Sequence, residues 1–238
     1  MLCDTYMKYS IAVLLVGILV IIGIYASQSL DRSGDVSTIS RVQEQSRVEE
    51  QPKIFALWDS LTAWYQLPLE ESYPAQLEEL LQQNWYAYTV LNAWKSGDTS
   101  AGLLARVEWL TEEAAPNDIA ILVIGANDGM QSLSLATLEE NIQEIISILQ
   151  DAWLQVVVGG MQIPTNLEPR YREDFTSIYP RLVEANNLSY IPFFLENVAT
   201  IPELNLSDGI HPNATGYAII AQQVFMHLKE NNLISDTF

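Results

Sequence analysis

Four short polar clusters hold the residue types that acyl transfer requires: "DSLT" from Asp59, "SGDT" from Ser96, "GANDG" from Gly125 and "SDGIHPN" from Ser207. Such a reaction needs a nucleophilic hydroxyl, an imidazole to take its proton, a carboxylate to hold the imidazole, and donors for the oxyanion. Ser60 is the hydroxyl candidate. Of the two histidines, His227 sits among Phe225, Met226 and Leu228, while His211 lies in a Gly/Pro/Asn segment. Asp208 precedes His211 by three residues, a spacing at which a loop can bring a carboxylate onto one ring nitrogen. Gly97 can offer its backbone N–H because no Cβ stands in the way, and Asn127 adds a neutral side-chain donor.

Taken singly, each has an ordinary role. Ser60 suits a turn or helix cap, Asp98 or Thr99 a cap, "ANDG" a turn, and His211 a loop bonded to its neighbours. Their order along the chain, each cluster following a strand candidate, selects the catalytic reading. No G-x-S-x-G elbow, G-x-G-x-x-G or Walker loop occurs. Two histidines and one remote cysteine, Cys3, supply neither a transition-metal ligand set nor a disulfide framework.

The elements that must position these clusters follow from hydrophobic periodicity. Strand-length apolar runs fall at Lys53 to Trp58, Tyr86 to Leu91, Ile119 to Ile124, Leu154 to Val158 and Tyr190 to Phe194. Helical spacing falls at Pro74 to Gln83, Ser100 to Thr111, Leu138 to Asp151, Tyr171 to Asn186 and Ala214 to Glu230. Five alternations of strand and helix predict right-handed crossovers, hence an α/β fold with a parallel sheet covered on both faces. Ligands in such sheets bind beyond the carboxyl ends of the strands, where the four clusters fall.

Composition bounds the partners. With 30 acidic and 11 basic residues the formal charge is -19, which repels phosphate backbones and argues against nucleic acid. At the N-terminus, Tyr9 to Ser27 carries no charge and approaches the ~20 apolar residues of a spanning helix. Residues 1–27 therefore read as a signal anchor or transmembrane helix, with a cleaved signal peptide as the competing reading. Residues 28–52 are polar and of mixed charge, a flexible tether, and residues 53–238 form the folded domain. This arrangement predicts membrane attachment through the N-terminal helix with the domain outside the cytoplasm, or secretion after cleavage.

The motif order D-S-L-T, S-G-D-T, G-A-N-D and D-G-I-H-P resembles the SGNH (GDSL-type) serine hydrolase superfamily over roughly residues 53 to 232. The stretch Met161 to Val198 is similar to the branch of bacterial acyl-CoA thioesterases, lysophospholipases and arylesterases. The resemblance implies a flavodoxin-like three-layer α/β/α sandwich with a five-stranded parallel sheet, and no cofactor or metal. It further implies Ser60 as nucleophile, His211 as general base and Asp208 as its orienter. The implied oxyanion hole is the backbone N–H groups of Ser60 and Gly97 with the Asn127 side chain. Small or lipid-derived esters and thioesters are the implied substrates. The rival readings are a carbohydrate O-acetylesterase, since the superfamily includes those, and a catalytically inactive membrane-anchored binding module.

One departure from the family pattern is systematic. Trp58, Trp64, Trp85, Trp94 and Trp153 stand where the resemblance leads one to expect glycine, and only Trp109 does not. An indole of roughly 150 to 250 Å² does not substitute for a residue chosen for close backbone approach or positive φ. Some bacterial lineages read UGA as glycine, and conceptual translation of such a gene under the standard code produces this pattern. If the tryptophans are real, they predict a remodelled pocket and favour the inactive-module reading.

Overall fold

The computed structural model describes residues 51–59 and 67–235. The N-terminal anchor, the tether up to residue 50, Ser60 and Trp64 therefore lie outside the described residues. Among the described residues, no helix is long and apolar enough to cross a membrane.

Five strands form one sheet: β1 (Lys53–Trp58), β2 (Thr89–Asn92), β3 (Ile119–Val123), β4 (Gln155–Gly159) and β5 (Ser189–Ile191). All pairs are parallel, in the order β2-β1-β3-β4-β5. Strands covered on both faces read as continuous apolar runs rather than alternating ones, and every residue of β3 is buried. The order reverses between β1 and β3, which places the ligand crevice at their carboxyl ends.

Among the described residues there are seven α-helices, six between strands and one after β5: α1 (Tyr73–Gln83), α2 (Ser100–Leu104), α3 (Val107–Leu110), α4 (Ala126–Met130), α5 (Leu135–Asp151), α6 (Pro169–Asn186) and α7 (Ala214–Glu230). α1 packs on α7, while α2, α3, α4 and α6 gather on α5, so two helical layers flank the sheet. The α/β/α sandwich expected from the alternation is the fold observed.

Local chemistry explains the helix boundaries. Ser134 caps α5 by accepting the Thr137 N–H at 3.3 Å, and the helix buries Leu138, Ile142, Ile145, Ile146 and Leu149, one face at helical spacing. Asn213 caps α7 by accepting from Thr215 and Gly216. Glu168 accepts the Tyr171 N–H ahead of Pro169, which opens α6 at a position where a missing N–H costs no hydrogen bond.

Several boundaries differ from the periodicity: β5 runs Ser189–Ile191 rather than Tyr190 to Phe194, and α5 begins at Leu135 rather than Leu138. β2 begins at Thr89 rather than Tyr86, because pairing with β1 starts where Lys53 aligns with Thr89. The helix expected over Ser100 to Thr111 is two helices: Arg106 leaves helical geometry (φ -131°, ψ -7°), and its guanidinium reaches back to the Asp98 carboxylate and the Ala93 carbonyl. The "ANDG" stretch, read as a turn, winds into α4.

Candidate active site

The loop leading into α7 is built around one carboxylate. Asp208 Oδ1 accepts the main-chain N–H groups of Ile210 at 2.9 Å and His211 at 3.0 Å, an Asx turn that closes the loop on itself. Gly209 within it has φ +69°. Asp208 Oδ2 lies 2.8 Å from His211 Nδ1. A carboxylate only accepts, so Nδ1 carries a proton, and the tautomer this contact selects has its lone pair on Nε2. Burial raises the Asp208 pKa, but the N–H groups of His211 and Ile210 and the imidazole outweigh it and hold the carboxyl below its ordinary value.

The base of the loop is fastened independently. Leu206 N–H donates to the His211 carbonyl at 2.7 Å, Asn205 bridges antiparallel to Pro212, and the Asn205 amide donates to the Val198 and Ile201 carbonyls, both at 2.7 Å. His211 is therefore held by a braced loop, with its side chain 17% exposed.

The second and third clusters meet at the carboxyl ends of β2 and β3. Asn127, mostly buried, donates one amide hydrogen to the Asp98 carbonyl at 2.9 Å. An amide carries two such hydrogens, so this bond fixes the group's plane and leaves the second hydrogen for another acceptor. Gly97 has φ +69°, and a Cβ there would meet no atom within 4 Å, so backbone conformation rather than crowding demands glycine. Thr99 does cap α2, accepting the Gly102 N–H at 3.3 Å, so its ordinary role is realised. Gly125 (φ +111°) is tighter: a Cβ would stand 2.6 Å from the Tyr179 hydroxyl, which itself donates to the Ile124 carbonyl at 2.9 Å.

Two charged networks behind these loops were not foreseen in the motifs. Asp98, 3% exposed, pairs with Arg106 Nε at 2.9 Å and with Lys95 at 3.6 Å. Asp128, 4% exposed, accepts the Ser100 N–H at 2.9 Å and its hydroxyl at 2.6 Å. The only sequence signal was the position of both acids inside motifs already singled out. Ala126 and Ile210, the chain neighbours of Asn127 and His211, line a cleft of about 600 Å³ whose wall is apolar at Met130, Ile163 and Phe193 and polar at Gln162 and Asn166.

A doubly wound sheet with these clusters along its carboxyl edge defines the SGNH class of serine hydrolase. The chain belongs to the GDSL-like lipase/acylhydrolase family, whose model matches residues 56–219, and it is a carboxylic ester hydrolase. Among its relatives, an arylesterase of Vibrio mimicus is 37% identical over 176 residues, covering 74% of this chain and 88% of the relative. The thioesterase 1/protease 1/lysophospholipase L1 of Escherichia coli K12 is 32% identical over 177 residues, covering 74% of this chain and 83% of the relative. In three dimensions the chain resembles the psychrotrophic esterase EstA from Pseudoalteromonas (TM-score 0.72, 28% identity), over 76% of this chain and 98% of that one.

Proposed function

We propose that the protein hydrolyses small or lipid-derived carboxylic esters and thioesters through an acyl-enzyme on Ser60. The Asp208–His211 pair carries this reading, because a braced imidazole with its proton on Nδ1 is the form that can remove a hydroxyl proton through Nε2. Ser60 Oγ attacks the carbonyl carbon as its proton passes to His211, and Asp208 stabilises the imidazolium. The Asn127 amide and the backbone N–H groups of Gly97 and Ser60 receive the oxyanion. Collapse expels the alcohol or thiol with the proton from His211. Water, deprotonated by the same imidazole, then releases the acid.

The mostly apolar cleft beside Ile210 and the names of the relatives, an arylesterase and a thioesterase/lysophospholipase, support aryl or lipid-derived esters and thioesters over acetylated carbohydrates. Residues 1–27 are proposed as a membrane anchor and 28–52 as its tether, leaving residues 53–238 as the hydrolase.

A fluorophosphonate probe tests the mechanism: the chain labels, and Ser60→Ala abolishes both labelling and p-nitrophenyl ester hydrolysis. Labelling that survives Ser60→Ala would overturn the nucleophile assignment, and an unlabelled, inactive wild type would favour a binding module. Profiling p-nitrophenyl esters of increasing chain length beside acetylated glycans tests the substrate class. Activity confined to the glycans would overturn the acyl-ester reading.

A further inference from the structure

Asn127 and Asp128 are neighbours in the chain and stitch the same two loops together in opposite senses. Asn127 donates to the Asp98 carbonyl at 2.9 Å, while Asp128 receives both the N–H and the hydroxyl of Ser100. Ser100 is fully buried, and its oxygen also accepts from Asn141 at 2.9 Å, which ties the pair to α5. A buried carboxylate with two short donors on one residue is a rigid joint. It fixes the segment carrying Gly97 against the segment carrying Asn127.

Building on the esterase mechanism above, we infer that Asp128 is a positioning residue for the oxyanion hole. It sets the separation of two donors that must converge within hydrogen-bond distance of one developing charge. Loss of the joint lets them drift, and sub-ångström drift at a reacting centre costs rate more than binding.

The test is a double-mutant cycle in the full chain, with probe labelling at Ser60 as the control for the site itself. Asp128→Asn should lower kcat by ~10-fold or more with KM nearly unchanged. In an Asn127→Ala background the same change should cost under ~3-fold, because the partner it positions is gone. Equal losses in both backgrounds, or an unchanged kcat, would overturn the role. Ser100→Ala, which removes only the hydroxyl, serves if Asp128→Asn does not fold. A wild type that fails to label at Ser60 would instead overturn the site on which the inference rests.

A separate observation concerns the tryptophans. Helices α1, α5, α6 and α7 end in the same motif, with a 6→1 and a 5→2 backbone hydrogen bond. The pairs are Tyr86 to Leu81 with Trp85 to Gln82, Leu154 to Leu149 with Trp153 to Gln150, Leu188 to Val183 with Asn187 to Glu184, and Leu233 to Leu228 with Asn232 to Lys229. The fifth residue of this motif must be left-handed, and the four φ values are 66°, 63°, 52° and 55°. Glycine is the usual occupant and asparagine the tolerated one. Two ends have asparagine, and the other two have tryptophan.

Burial does not compensate for the backbone cost, since Trp85 and Trp153 are 78% and 77% exposed. Trp109 is as exposed, at 74%, but sits inside α3 with an ordinary backbone. Trp58 is misplaced in the opposite way. It is 1% exposed, its indole N–H has no partner among the described residues, and its ring centroid lies 3.8 Å from that of Tyr73 at 88°. Edge-to-face pairs normally keep centroids ~4.5 to 7 Å apart.

The geometry points to glycine at 58, 85 and 153 in the polypeptide made by the native cell, with UGA codons there read as glycine. Glycine at 58 would relieve Tyr73, whose ring now crowds the indole, directly ahead of Asp59 and Ser60. The gene decides: TGA at all three positions and TGG at 109 is the expected result, and TGG at any of the three overturns the inference. In the tryptophan-bearing chain, Trp85→Gly and Trp153→Gly should each raise Tm by ~2 to 4 °C, while Trp109→Gly lowers it. An unchanged or lower Tm in the first two would show the indoles to be accommodated and overturn the conformational argument.

Discussion

Asp208 and His211 are joined twice: one carboxylate oxygen accepts the histidine's main-chain N–H at 3.0 Å and the other lies 2.8 Å from its Nδ1. The same side chain thus shapes the loop and selects the imidazole tautomer. Asp208→Asn can present its amide N–H to Nδ1 and favour the wrong tautomer. The expected loss in kcat is ~10³ to 10⁴-fold, measured on a p-nitrophenyl ester. A loss below tenfold would mean that another group orients the base.

Asn127 donates one amide hydrogen to the Asp98 carbonyl, so its second is held in a fixed direction. Removing such a donor from an oxyanion hole costs ~10² to 10³-fold in kcat. Asn127→Ala should fall in that range with KM changed little, while rapid phosphonate labelling would argue against its contact with the oxyanion.

Arg106 compensates a buried charge. Its Nε lies 2.9 Å from Asp98, and the remaining cation, Lys95, is 62% exposed and 3.6 Å away. Breaking a buried pair from one side costs ~3 to 5 kcal/mol. Arg106→Met should approach the lower end, since Lys95 remains, whereas Arg106→Met with Asp98→Asn should recover part of the loss. Urea unfolding of the two variants makes the comparison.

His227 gives the fold a pH dependence near neutrality. Burial lowers its pKa, with Glu230 opposing, and its Nε2 shares a 2.7 Å hydrogen bond with the Ser189 hydroxyl. The unfolded chain binds this proton more readily, so stability is full above the ordinary value of ~6.5 and declines as pH falls through the lowered folded value. His227→Gln should flatten the change in Tm between ~pH 7.5 and ~pH 5.5. An identical slope in the variant would place the dependence elsewhere. Asp208, also held low, acts in the same direction only in the carboxylate range well below this window.

The alternation of apolar runs and helical spacing was sufficient to determine a parallel α/β sheet, because a strand covered on both faces has to be apolar throughout. Lys53–Trp58 and Ala214–Glu230 were legible to the residue. The loop containing Asp208 and His211 was legible too, since three residues of local chain suffice to close it. Strand order, the splitting of Ser100 to Thr111 at Arg106, and the meeting of Asp98 with Asn127 and of Ser100 with Asp128 were not. Each depends on segments more than two dozen residues apart or on a side chain reaching back across a turn, and periodicity is blind to both. The tryptophans divide the same way: the sequence marks their positions as anomalous, but only the folded backbone, left-handed at 85 and 153 and crowded at 58, shows why an indole is the wrong side chain there.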